Sequence, residues 1–139
     1  MKNSGSTALL AAVMAISGCA MLGKGNTGIM MASSTLPASE GKVKYSVTKN
    51  DNTRIALTVK HLAHPSKLTP PANVYVVWTR DTKGAPAQNI GALKVDKDLN
   101  GTLDAETPLH SFEIFLTAEA SGEVQQPTDP HLLWTTYNR

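Results

Sequence analysis

The clearest potential for metal chemistry lies in residues 96–102, which read Asp-Lys-Asp-Leu-Asn-Gly-Thr. Asp96, Asp98 and Asn100 alternate as the oxygen ligands of a calcium loop do, and a glycine follows at the position where that loop turns. The pattern fails at its end, because Thr107 stands where a bidentate glutamate is needed and the flanking residues have strand character. We therefore predict a hairpin with an acidic turn, and calcium or small-ligand binding through these residues is the alternative.

The histidines and aromatic residues do not assemble into a second site by their spacing. His61 and His64 would point to opposite faces of a strand, and no His-Glu pair occurs at helical spacing. Tyr75, Trp78 and Trp134 offer a sugar-binding face, although aromatic residues at strand centres are more typical of a core. No serine lies in a nucleophile motif. We predict no catalytic residue, no bound metal and no cofactor, and hence a protein that is not an enzyme.

The N-terminal residues have the layout of a secretory signal peptide. Lys2 lies in a polar start, and residues 8–16 form an apolar run of nine, far short of the roughly 20 that span a membrane. Ile16-Ser17-Gly18-Cys19 then resembles the lipobox of bacterial lipoproteins. The resemblance implies cleavage after residue 18 and attachment of acyl chains to Cys19, and two or more such chains anchor a protein stably.

The predicted location and the charge composition of the chain limit the kinds of partner that it could bind. The resemblance implies a protein lipid-anchored on the extracytoplasmic side of the bacterial envelope, either periplasm-facing or at the outer membrane; the absence of Asp at residue 20 slightly favours the outer membrane. Without Lys2 the chain has 12 basic and 11 acidic residues, which gives a net charge near +1, and the basic residues form no stripe. Nucleic acid is therefore not a predicted partner. Cys19 is the only cysteine, so no disulfide forms within one molecule.

The remaining chain is predicted to hold one β domain behind a tether. Residues 19–41 are rich in glycine, serine and threonine and predict a flexible tether. Ile29-Met30-Met31 interrupts this polarity, and a short strand or a chance apolar triplet is favoured over a membrane contact. From residue 42 apolar residues alternate with polar ones, and turn signals stand at 50–52 and at Asn100-Gly101. Residues 42–139 are thus predicted to form an all-β, immunoglobulin-like sandwich of about seven strands. Its central strand, 74–78, is apolar on both faces, and Trp78 is expected to fill the centre of the core.

Four short stretches carry a family resemblance: Tyr75-Val76-Val77-Trp78, Asp81 to Gly84, Gly91-Ala92-Leu93, and Leu116 to Gly122 running on to Gln126-Pro127-Thr128. Together they resemble the extracytoplasmic C-terminal domain of anti-sigma-K factors, over roughly residues 42 to 134. That family joins a β-rich outer module to a cytoplasmic sigma-binding part through a membrane helix, whereas here a lipid at Cys19 would replace both. The resemblance implies a non-catalytic protein-interaction, sensory or structural module of the envelope, with another envelope protein as its partner and without cytoplasmic sigma-factor binding.

Overall fold

The computed structural model describes residues 26–128 and 130–139, so the predicted signal peptide and Cys19 lie outside the described residues. The described chain consists of ten strands and one short 3-10 helix. In chain order these are β1 Asn26–Ile29, β2 Met31–Ala32, β3 Glu40–Val47, β4 Thr53–Lys60, the 3-10 helix Pro65–Lys67, β5 Val74–Asp81, β6 Gln88–Ala92, β7 Lys94–Val95, β8 Gly101–Thr107, β9 Ser111–Glu119 and β10 Leu133–Asn138.

The strands form two antiparallel sheets of five strands each. Sheet A has the order β1-β3-β4-β8-β7, and sheet B has the order β2-β10-β9-β5-β6. The predicted all-β sandwich is confirmed. The strands beyond the expected seven are β1 and β2, which precede the predicted domain, and β7, which is separate from β6. An immunoglobulin-like connectivity stays a prediction.

Buried and exposed residues alternate along the strands of sheet A, and the buried ones form the core between the two sheets. Every second residue is buried throughout β4 and, in β3, as far as Tyr45. The inward-facing side chains include Val43, Tyr45, Ile55 and Leu57. Sheet B faces them with the inward residues of β9 and β10, among them Phe112. Because side chains alternate with period two, the intervening residues of sheet A face solvent and are mostly charged or hydroxylic.

Residues 26–41 belong to the sandwich, so the prediction that the tether extends to residue 41 was wrong. β1 pairs with β3, and β2 pairs with β10, so the two short strands form the same edge of the sandwich. Between them Met30 enters the core at 5% exposure and donates its backbone N–H to the carbonyl of Gly41. Of the interpretations open for Ile29-Met30-Met31, strand structure is the one found: Ile29 ends β1 and Met31 begins β2, with Met30 between them. Two edge strands with one buried anchor residue are enough to fix a stretch whose composition resembles a linker.

Strand β5 is covered on both sides, as its continuous apolar sequence predicts. Tyr75 and Val77 face the core between the sheets, whereas Val76 and Trp78 pack with Phe115 on the outer face of sheet B. Trp78 is fully buried, but the prediction that it fills the centre of the core was wrong. Its position in the strand has the opposite parity to that of Tyr75, so it points away from sheet A.

Both predicted hairpins form, with turns of the same kind. In each, a three-residue loop ends on a residue of positive φ, Asp51 at 64° in the first and Leu99 at 61° in the second. The second loop is closed by the Asp96 N–H, which donates to the carbonyl of Asn100 at 2.9 Å. The predicted Asn100-Gly101 turn is therefore displaced: the loop precedes Asn100, and Gly101 is already the first residue of β8.

The predicted bulge at Gly91 is confirmed. The pairing of β5 with β6 shifts between Val77 and Trp78, which pair with Gly91 and Asn89, so Ile90 is the extra residue. Gly91 has a φ of 136°, which residues other than glycine rarely adopt. The shift points Asn89 outwards beside Trp78, where its amide holds the covering segment described below.

Two buried tyrosines are expected to respond oppositely to removal of their hydroxyl groups. The Tyr75 hydroxyl donates to the Ala63 carbonyl at 2.6 Å, whereas the Tyr45 hydroxyl is buried without a hydrogen-bond partner, its ring stacked on Tyr137. Tyr75→Phe should lower the free energy of unfolding by about 1–2 kcal/mol, and Tyr45→Phe should raise it by about 1 kcal/mol. Urea unfolding at neutral pH measures both; equal signs would contradict the assignment.

The same pair sets an alkaline limit on stability. Burial raises the pKa of Tyr75 to about 12, and burial together with neighbouring Tyr137 raises the pKa of Tyr45. Both phenols titrate near 10 in the unfolded chain, so that chain loses its protons first, and stability that is complete below pH 10 falls as the pH approaches 12. For Tyr75, a pKa about two units higher in the folded chain corresponds to about 2–3 kcal/mol of the free energy of unfolding. Tyr75→Phe should remove that part of the fall in urea titrations at pH 9 to 12.

Candidate functional site

The predicted acidic turn uses its first carboxylate to fix its own backbone. Asp96 Oδ1 accepts the N–H of Asp98 at 2.9 Å and the N–H of Asn100 at 3.0 Å. Asp98 is exposed, and no group of three or more His, Cys, Asp or Glu side chains suited to a metal occurs within residues 26–128 and 130–139. The turn thus has a structural account that needs no ion, because a carboxylate that accepts two amides replaces lost backbone partners.

This account makes a prediction that separates the two aspartates. Asp96→Ala should lower the free energy of unfolding by about 1–2 kcal/mol through loss of both amide bonds, with or without calcium. Asp98→Ala should change it by less than about 0.5 kcal/mol, as for most exposed side chains. Thermal unfolding with and without calcium measures both. A rise in melting temperature on adding calcium that either substitution abolishes would restore the calcium site instead.

His64 and His110 each make a local side-chain contact. His61 follows β4 with a φ of 59°, and His64 accepts from the N–H of Ser66 at the start of the 3-10 helix. His110 lies 3.2 Å from a carboxylate oxygen of Asp51. Arg139 joins the same carboxylate at 2.6 Å and thereby holds the end of β10 against the first hairpin. The side chains of His64, His110 and Arg139 thus hold local segments in place, and none of the described histidines belongs to a group of three or more His, Cys, Asp or Glu suited to a metal.

The three aromatic residues considered for a sugar-binding face do not share a surface. Tyr75 points between the sheets and Trp78 points outwards, and both are fully buried. Trp134 remains partly buried on the outer face of sheet B. The interpretation of Tyr75 and Trp78 as core residues is confirmed.

A polar chain that no sequence pattern indicated runs beneath residues 120–128 and 130–132, here called the covering segment. Trp78 Nε1 donates to Thr117 Oγ1 at 2.8 Å, and that hydroxyl donates to Glu119 at 2.6 Å. Glu119 is only 4% exposed and also accepts the N–H and the hydroxyl of Thr128, at 2.7 and 2.8 Å. Because the indole N–H only donates and the carboxylate accepts all three bonds, each member fixes the orientation of the next.

Asn89 fixes the other end of the covering segment. Its amide nitrogen lies 2.9 Å from the carbonyls of both Gly122 and Val124, while its oxygen accepts the N–H of Gly91. One side chain at the bulge thereby joins strand β6 to the segment. Asn89 and Glu119 together hold the segment against the part of the outer face of sheet B that contains Trp78. This part of the outer face forms a second small core.

Beside this core lies a half-exposed cluster of charged and aromatic groups. Arg80 donates to Glu113 at 2.8 Å, and its guanidinium carbon lies 5.2 Å from the centre of the Phe115 ring. His131 stacks on the same ring at 3.8 Å and approaches Glu113 to 3.5 Å. The Arg80 and His131 side chains therefore meet one carboxylate and one ring, an arrangement that ties β5, β9 and the covering segment together.

Comparisons with known proteins add no relative: no known family, curated protein or solved structure matches this chain. Within residues 26–128 and 130–139, no helix has the length and hydropathy of a membrane span. The likeness to anti-sigma-K domains therefore stays a prediction from the sequence. Cys19, the predicted lipid attachment site, lies outside the described residues.

Proposed function

We propose that this protein is a lipid-anchored β-sandwich on the extracytoplasmic side of the bacterial envelope, where it acts as a protein-interaction, sensory or structural module. One observation carries the proposal: the lipobox-like Ile16-Ser17-Gly18-Cys19 precedes the first strand of the described residues, which begins at Asn26, by only a few residues. The seven-residue step from Cys19 to Asn26 spans at most about 25 Å when extended. A lipid at Cys19 would keep the sandwich close to the bilayer.

The way the sandwich is stabilised supports a binding role rather than a catalytic one. Glu119 and Asp96 accept hydrogen bonds from the chain itself, and Arg80 and Glu113 pair with each other. Side chains committed to holding loops and strands present a rigid surface, which suits recognition of another macromolecule. The stretch with the strongest likeness to anti-sigma-K domains, Leu116 to Thr128, supplies Thr117, Glu119 and Thr128 of the polar chain and most of the covering segment.

The anchoring part of the proposal is tested by metabolic labelling with a clickable fatty acid. Label should enter the protein in cells and disappear in Cys19→Ser, because the thiol is the acceptor. Gly18→Ala, which keeps a small residue before the cysteine, is the matched control and should retain the label. Label that persists in Cys19→Ser would refute the assignment.

The interaction part is tested by photo-crosslinking in intact cells from both outer faces. A crosslinking residue at Thr58 reports on sheet A, and one at Thr136 reports on sheet B; both positions are exposed. A discrete adduct from one face but not the other supports an interaction module and locates its surface. Adducts from neither face would leave a passive structural role.

A further inference from the structure

The edge of the sandwich formed by β1 and β2 carries exposed apolar side chains. Because Met30 turns into the core between the two strands, its neighbours Ile29 and Met31 point outwards. They are 67% and 63% exposed, and they are two of the three large apolar residues most exposed in the described chain, the third being Val47. Exposed apolar groups gathered at one edge mark a contact surface more strongly than scattered ones.

Three lysines lie on the sheet A side of this edge. Ile29 pairs with Lys42 in the register of β1 and β3, and Lys44 lies two residues further along β3. Lys60 is the last residue of β4 and lies opposite Glu40 of β3. Together with Ile29 and Glu40 they line one open groove, which thus holds three lysines and one glutamate. None of the three lysines forms an ion pair with a described residue. This side of the edge therefore presents net positive charge beside an apolar side chain.

The sheet B side adds a half-exposed indole. Met31 is directly opposite Trp134 in the pairing of β2 with β10, and both side chains point to the outer face of sheet B. Trp134 packs at the margin of the small core and remains partly accessible. Tryptophan with aliphatic and lysine side chains is the composition found where proteins meet the headgroup region of a bilayer.

We propose that the N-terminal edge, defined as Ile29, Met31, Lys42, Lys44 and Lys60, docks on an anionic phospholipid surface. The inference rests on the proposed function, because the membrane in question is the one that holds Cys19. Charge complementarity favours this occupant, since clustered lysines are attracted to anionic headgroups while apolar side chains enter the boundary between headgroups and acyl chains.

The length of the preceding chain favours the same occupant. Ile29 follows Cys19 by ten residues, so a lipidated N-terminus keeps this edge within about 35 Å of the bilayer. Two exposed apolar side chains are too few for the core of a stable protein interface, which buries about 800 Å² on each partner. They are sufficient as a second, weaker signal beside a lipid anchor. Docking would orient the sandwich with β6 and β7 away from the membrane.

The test uses the chain from residue 19 onwards with Cys19→Ser, which retains all described strands but has no lipid. It should co-sediment with vesicles of equal phosphatidylglycerol and phosphatidylcholine at low salt, and much less with phosphatidylcholine alone. The triple substitution of Lys42, Lys44 and Lys60 by Gln should weaken partitioning at least tenfold, given about fivefold per lysine. Ile29→Ser with Met31→Ser should also weaken it at least tenfold.

Matched controls carry the same changes elsewhere on the surface. Replacement of exposed Lys67, Lys83 and Lys97 by Gln removes the same charge, and Val47→Ser alters the third exposed apolar residue, five positions beyond Lys42 on the other face of β3. Both should bind vesicles within twofold of the parent. Urea midpoints verify that each variant is folded.

Three results would overturn the docking proposal: no vesicle binding by the parent, equal losses in the two lysine triples, or a dimer that Ile29→Ser with Met31→Ser dissociates while vesicle binding persists. The last would make the edge an interface between copies of the chain. Fatty-acid labelling of Cys19 without vesicle binding would reject docking alone. Vesicle binding without labelling would reject the anchor and leave the docking surface standing.

Discussion

Replacing Glu119 by Ala is expected to lower the free energy of unfolding by about 3–4 kcal/mol. The substitution removes the acceptor of three hydrogen bonds, from the Thr117 hydroxyl and from the N–H and hydroxyl of Thr128. Bonds to a charged partner contribute roughly twice as much as neutral ones, and the Thr117 hydroxyl is left buried without its acceptor. Trp78 is also affected, because Thr117 no longer has a fixed orientation in which to accept its indole N–H.

Related variants divide this effect into its parts. Glu119→Gln keeps the size of the side chain and one acceptor oxygen, so a loss of about 1–2 kcal/mol is expected. Thr128→Ala removes one hydroxyl bond but retains the backbone bond, and should lose about 1 kcal/mol. Glu123→Ala, in the exposed part of the covering segment, should change stability by less than about 0.5 kcal/mol.

Urea unfolding followed by tryptophan fluorescence measures the stability of each variant, and hydrogen exchange at the Thr128 amide reports the covering segment itself. In Glu119→Ala that amide should lose protection before the strands do, because its acceptor is gone. A loss below about 1 kcal/mol with unchanged protection would mean that Asn89 and the apolar contacts alone hold the segment in place.

The period of the apolar residues made most of the strands predictable. Val43 and Tyr45 in β3, like Ile55 and Leu57 in β4, alternate with solvent-facing residues because that sheet has one wet face. Sheet B differs, and β9 contained the sign of it: Phe115 stands between Ile114 and Leu116, on the face that strict alternation would leave polar. An aromatic residue on both faces of one strand indicates cover on both faces.

The tether was misjudged for a related physical reason. β1 is a four-residue edge strand that pairs with one strand, β3, so its sequence has to be compatible with hydrogen bonding on one side only. Gly28 fits there because the ring of Tyr45 leaves little space for a side chain. Composition alone does not separate such a strand from a linker. The short apolar triplet around Met30 was the informative signal, since one buried side chain anchors the whole stretch.

The candidate sites divide in the same way. Cys19 is predictable because a lipobox is local in sequence, whereas Glu119 gains its role from Thr128 and, through Thr117, from Trp78 on another strand. A glutamate near the end of a strand gives no indication of being buried until the covering segment is in place. Asp96 lies between these cases: the spacing drew attention to its carboxylate, and in the structure one oxygen of that carboxylate accepts two backbone amides of the turn.

Gly101 supplies the second large expected effect, and it explains why a turn signal was displaced. A Cβ at this position would lie 2.6 Å from Leu93 Cγ and 3.1 Å from Leu62 Cδ1, inside the core. Gly101→Ala should therefore lower the free energy of unfolding by about 2–3 kcal/mol through overpacking. Leu93→Ala, at a side chain 6% exposed, should lose about 2–4 kcal/mol by leaving a cavity.

The double variant separates this steric origin from a turn requirement. If Gly101 is glycine because Leu93 fills the space beside it, Gly101→Ala with Leu93→Ala should lose at least about 1.5 kcal/mol less than the sum of the single losses. Gly84→Ala is the conformational control: φ is 96° with no atom within 4 Å of the added carbon, so its loss of about 1 kcal/mol should add to that of Leu93→Ala. Urea midpoints give all five values. Strict additivity at Gly101 would mean that its backbone, and not the Leu93 side chain, demands glycine there.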